Sequence, residues 1–175
     1  MKKKHIVLLS LAALIVVFCL WYTRPRPLER YCPPLEITEC TEIKFFVRTQ
    51  RGTTKEDGSY WPYTESEELV FTPGEPEFER LIELVDGRRF STRLANLLPK
   101  GTRTYRTEPG DVTWDMFFCF ENVTLSEGGT GSGYMLHLHN FYGKLDVSYE
   151  LETVYITTTD KDAWLAEING IIAEG

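Results

Sequence analysis

The chain has 175 residues and a formal charge of −7; all 26 Asp and Glu lie beyond residue 22, with only 16 of the 19 Lys and Arg. Some 150 residues outside the N-terminal run suffice for about one domain with one ordinary core. The acidic surplus argues against non-specific nucleic-acid binding, which relies on Lys and Arg neutralising phosphates.

Met1-Lys2-Lys3-Lys4 is a basic start, and Ile6 to Tyr22 follows without a charged residue. As a helix this run rises roughly 25 Å, close to the hydrocarbon thickness of a thin bilayer. It leaves through Phe18-Cys19-Leu20-Trp21-Tyr22, which lacks the small residues of a signal-peptide cleavage site. Val16 and Val17 fit the start of a lipobox before Cys19, but Phe18 stands where such a motif needs a small residue. The expected organisation is a cytoplasmic start (1–5), a transmembrane anchor (6–22), a Pro-rich stalk (23–35) and an extracytoplasmic domain (36–175). Trp21 and Tyr22 suit the headgroup level, and the three lysines favour a cytoplasmic N-terminus.

In the domain, Ile43, Phe45 and Val47 alternate with Glu42, Lys44 and Arg48, the pattern of a half-buried strand. Arg51 to Pro62, with Gly52, Asp57-Gly58 and Pro62, reads as loop, and Glu68 to Thr72 as a short strand. Pro76 and Gly87 bracket a helix with Phe78, Leu81, Ile82 and Val85 on one stripe. The next segment reads as irregular, with a helical turn near Leu94 to Leu98. Trp114–Leu125 and Tyr134–Tyr142 are apolar runs joined by a Gly-rich connection, as in a flexible hairpin. Strands are expected at Leu145–Glu150 and Thr153–Thr158. After Asp160, Trp164, Leu165, Ile168, Ile171 and Ile172 line a closing helix. The expected fold is α+β: one antiparallel sheet of about four to six strands covered by two amphipathic helices.

Three kinds of residue are candidates for function. Tyr60, Trp61 and Tyr63 cluster beside Pro62, and rigid rings offer large contact area at low entropic cost. Arg88, Arg89 and Arg93, with Lys100, Arg103 and Arg106, form a basic block after the acidic stretch Glu56–Asp86, either an anion-binding patch or a surface neutralised within the fold. His137 and His139 are two apart on an expected strand and share a face. Placing Trp114, Met116, Phe118 and Phe120 inward puts Cys119 and Glu121 on the histidine face, a donor set competent for zinc. Phe117, Met135 and Phe141 on the same face argue for packing instead.

Cys32 and Cys40 could close a small disulfide loop in an oxidising compartment, which would leave Cys119 unpaired. The sequence has no Gly-x-Ser-x-Gly elbow, Walker loop, Gly-x-Gly-x-x-Gly or His-Glu-x-x-His. A non-enzymatic envelope module, binding a protein or polymer and needing no cofactor, is therefore expected. A metal protein built on His137 and His139, and a small hydrolase, are the alternatives.

The Lys2-Lys3-Lys4 start, the apolar anchor, the stalk and the passage Tyr155-Ile156-Thr157-Thr158-Thr159-Asp160 to Trp164-Leu165 resemble small uncharacterised membrane-anchored extracytoplasmic proteins of Gram-positive bacteria. The resemblance implies a cell-envelope location and carries no functional residue with it.

Overall fold

The computed structural model of the chain describes residues 2–31, 35–98, 108–121, 123–124, 130–131, 134–149 and 152–174. Helix α1 (Lys2–Thr23) contains the apolar run. Its segment His5–Thr23 has a mean hydropathy of 2.5 and is not buried by the rest of the chain. A helix apolar all round and left uncovered is suited to lipid, consistent with a single-pass anchor.

The domain follows as strands β1 (Glu42–Thr54) and β2 (Tyr60–Phe71), helix α2 (Pro76–Asp86) and the short strand β3 (Phe90–Thr92). Then come β4 (Val112–Phe120), β5 (Val123–Thr124), β6 (Thr130–Gly131), β7 (Tyr134–Phe141), β8 (Lys144–Tyr149), β9 (Glu152–Thr158) and helix α3 (Lys161–Glu174). Seven strands form one sheet in the order β2-β1-β4-β7-β8-β9-β3, and β5 pairs with β6 as a separate small ribbon. All neighbouring pairs are antiparallel. The α+β class holds, with seven strands in the main sheet rather than four to six. The added one is β3, three residues in the basic segment that pair with Ile156–Thr158.

Helix α2 carries the chain from β2 at one edge to β3 at the other, and α3 lies beside it. Phe78, Leu81 and Val85 of α2 and Trp164, Leu165, Ile168 and Ile171 of α3 are buried. They join one core with Ile43, Phe45, Val47, Trp114, Met116, Phe118, Leu136, Leu138, Leu145 and Val147. Trp114, Met116, Phe118 and Phe120 of β4 and Leu136 and Leu138 of β7 face inward, as the period-two pattern requires. Trp114 Nε1 donates to Asn169 Oδ1 at 3.0 Å and Trp164 Nε1 to the Leu84 carbonyl at 3.0 Å, so neither indole N–H is lost by burial.

Two local expectations are corrected. The segment read as a loop from Arg51 to Pro62 is the far half of a long hairpin, paired from Ile43↔Phe71 to Thr54↔Tyr60. Gly52 and Pro62 weaken a strand signal, but they sit opposite each other, and β2 is an edge strand where Pro is tolerated. The Pro-rich segment is not a free-standing stalk. The Arg26 and Phe90 backbones exchange hydrogen bonds of 2.9 and 2.7 Å, Leu28 is buried in the core, and Tyr31 Oη donates to the Phe90 carbonyl at 2.9 Å. Pro25 and Pro27 keep this stretch extended, and an extended backbone is what the open edge of β3 can pair with.

Candidate functional site

The β1–β2 hairpin outruns the rest of the sheet. Gln50 still pairs with Gly110 and Asp111 by backbone hydrogen bonds of 2.8 Å. Beyond it, four cross-strand pairs from Arg51↔Tyr63 to Thr54↔Tyr60 form a two-stranded arm, with no third strand among the described residues. Its turn is set by Gly58 at φ 80° and by Asp57 Oδ1, which accepts from the Ser59 amide at 2.9 Å and hydroxyl at 2.6 Å. Those bonds to the ionised form hold the Asp57 carboxyl below its ordinary range.

All three rings expected to make contacts lie on this arm: Tyr60 is 50% exposed, Trp61 58% and Tyr63 44%. They do not share one face. Trp61 and Tyr63 are two apart and lie on one side; Tyr60 lies on the other, where its ring occupies the space a Cβ on Gly52 would fill. Lys55 Nζ sits 4.4 Å from the Trp61 ring centroid, a cation–π contact on an exposed surface.

The sheet face opposite the helices carries the second cluster. One rung places Phe46, Asp115, His139, Asp146 and Tyr155 side by side across five strands; the next sets Phe117 against His137 and His137 against Ser148. Asp115 is buried at the centre. His137 Nε2 donates to Asp115 Oδ1 at 2.8 Å, His139 Nε2 lies 3.3 Å from that oxygen, and Arg48 Nη1 lies 2.6 Å from Oδ2. The other nitrogen of His139, Nδ1, is 3.4 Å from Asp146 Oδ2.

Burial raises the Asp115 pKa, but the His137 hydrogen bond and the His139 and Arg48 charges outweigh it and hold the carboxyl below its ordinary value. Burial lowers that of His139, but the Asp146 hydrogen bond and the Asp115 and Asp146 charges outweigh it, despite Arg48. With a carboxylate at each ring nitrogen, His139 is suited to the imidazolium form. Rings enclose the network: Phe117 stacks on His137 at 4.3 Å, and Phe141 lies 5.5 Å from His139.

The expected metal set is not assembled. Cys119 pairs with Met135 and so sits one rung from His137, while Glu121 falls in a bend past the end of β4. Among the described residues no group of three or more His, Cys, Asp or Glu could hold a metal ion. The carboxylates that meet the histidines are Asp115 and Asp146, which sequence reasoning missed. Asp115 shares the odd parity of His137 and His139, the signal that could have found it.

Arg88, Arg89 and Arg93 have different neighbours. Arg88 donates to the Thr159 carbonyl at 2.6 Å and lies over Trp164, 5.7 Å from the ring, so it pins the start of α3. Arg89 lines a cavity with Arg24, Arg26 and Arg30. Arg93 precedes the 3-10 turn Leu94–Leu97 and is exposed. Lys100, Arg103 and Arg106 lie outside the described residues, as does Cys32. Cys40 is a free, buried thiol that donates to the Glu42 carbonyl at 3.1 Å, and burial pushes its pKa up to about 11.

No family model matches the chain, and neither a curated protein nor a solved structure does so.

Proposed function

We propose that this chain is a membrane-anchored, non-enzymatic binding module of the cell envelope, with its domain on the extracytoplasmic side. Its arm, Arg51 to Tyr63, receives an envelope protein or polymer. The observation that carries the proposal is the arm itself: a two-stranded ribbon with both faces open and three rings about half exposed. A ribbon of two strands is marginal in water on its own, and rings of this kind are the usual anchors of an interface.

The open face favours no competing chemistry. Asp115 spends both oxygens on Arg48, His137 and His139, and each nitrogen of His139 faces a carboxylate. These groups satisfy one another rather than point at a reacting atom.

A photo-crosslinking residue replacing Thr53 on the full-length protein in intact cells tests this. The expected result is a discrete crosslinked species that disappears when Tyr60, Trp61 and Tyr63 are all changed to Ala. A crosslinking pattern unchanged by the triple substitution, in a protein that still reaches the membrane, would sink the proposal.

A further inference from the structure

The arginine-lined cavity has features that neither the arm nor the sheet face explains. It encloses about 510 Å³ and is lined by Arg24, Pro25, Arg26, Pro27, Arg30 and Arg89, within the size range of small-ligand pockets. Its walls are fixed on both sides. Arg26 is bonded through its backbone to Phe90, its guanidinium lies 5.3 Å from the Trp21 ring centroid, and Nη2 donates to the Trp21 carbonyl at 3.4 Å. Arg89 enters from the start of β3.

Among the described residues, no carboxylate lies within ion-pair distance of Arg24, Arg26, Arg30 or Arg89. Arg26 Nε is buried without a hydrogen-bond partner among the described residues. An orphaned buried donor is costly, and guanidinium groups sharing one cavity repel until an anion joins them. Planar guanidinium forks suit the oxygens of a phosphate, which they bind bidentately.

The location selects the kind of phosphate. The apolar helix ends at Thr23 and Arg24 follows it directly, so the cavity opens at the level of the lipid headgroups. Beside it, the 3-10 turn Leu94–Leu97 contacts α1, and Leu94, Leu97 and Leu98 are 45%, 51% and 67% exposed. Exposed leucines continuous with a membrane-spanning helix have the apolar edge of the bilayer as their natural neighbour.

We propose that this cavity binds the phosphate of an anionic phospholipid in the leaflet where α1 emerges. Leu94, Leu97 and Leu98 rest in the adjoining apolar layer, so the domain lies against the membrane. This proposal stands apart from the arm: either can fail without the other.

The test is native mass spectrometry of the full-length protein extracted from bilayers of equal phosphatidylcholine and phosphatidylglycerol. The expected result is retention of phosphatidylglycerol in clear excess over phosphatidylcholine. That preference should fall about fivefold for each guanidinium removed and vanish in R24Q/R30Q/R89Q, which spares the structural Arg26. Where the triple variant fails to fold, R89E decides, because Arg89 is exposed and outside the core; it too should lose the preference. Equal retention of the two lipids by the wild type, or undiminished preference in a folded variant, overturns the proposal. Full displacement of phosphatidylglycerol by dilute inorganic phosphate also overturns it, assigning the cavity to a soluble anion.

Discussion

Asp115 on β4 and His139 on β7 are cross-strand partners, and Asp115 Oδ1 is 3.3 Å from His139 Nε2 on the side of the sheet away from α2 and α3. A carboxylate buried on that face would be costly without partners; Arg48, His137 and His139 supply them. Replacing it by Asn keeps the shape but leaves three basic side chains without their shared anion. Because Arg48 is half exposed, part of its attraction is screened. Asp115→Asn is therefore expected to cost about 2 kcal/mol, within the range for hydrogen bonds to charged groups. Urea unfolding of the full-length protein in detergent measures it; an unchanged midpoint would mean the cluster is energetically idle.

The same pair sets a pH dependence whose sign follows from the two shifts. His139 is raised above its ordinary 6.5, so its contribution is complete below that value and fades as pH climbs through the folded-state pKa. Asp115 is lowered below its ordinary 3.8, so its contribution is complete above that value and fades as pH falls through the folded-state pKa. The network thus stabilises most between those two limits. Melting curves of wild type and His139→Gln should differ most between the two ordinary values, near pH 5.5, and converge as pH rises through the folded-state pKa of His139. A difference that grows with pH would contradict the assignment.

Much of this face could be reasoned from alternation alone. In Trp114 to Phe120 and Leu136 to Leu138 every even position is apolar, and every one of them is buried. The tight turn at Tyr142 and Gly143, both at positive φ (51° and 72°), belongs to the hairpin type that fixes register. It sets Phe141 against Lys144, and His139 therefore against Asp146. The β1–β4 pairing is not legible locally, because two strands, a helix and a long segment lie between them; the approach of Arg48 to Asp115 is a property of that non-local register. Glu121 reads as a ligand only if the strand runs on to Leu125, whereas β4 ends at Phe120.

The prolines near residue 25 read as spacer material because they favour extended backbone, yet extended backbone also closes a sheet edge. Leu28, the apolar residue among them, is where the difference lies: its side chain is buried with the core. Leu28→Ala is expected to cost about 2–4 kcal/mol, as for other buried leucines, whereas in a detached stalk it would cost nothing. Comparing denaturant midpoints of the variant and the wild type distinguishes the two; equal midpoints would return the segment to a stalk.

The arm offers a substitution that separates contact from stability. Tyr60 covers the backbone of Gly52, and a Cβ there would overlap the phenol. The obstruction is the far part of a side chain on an exposed ribbon, so Gly52→Ala should displace the ring outward rather than unfold the domain. Its effect on the unfolding midpoint is expected to stay within about 0.5 kcal/mol, as for most surface changes. Crosslinking through the arm should nonetheless weaken as strongly as in Tyr60→Ala, because the ring no longer lies where the ribbon holds it. Full crosslinking by Gly52→Ala, alongside a loss in Tyr60→Ala, would show that the ring matters but its placement over Gly52 does not. Full crosslinking by both would confine recognition to the opposite face, where Trp61 and Tyr63 lie.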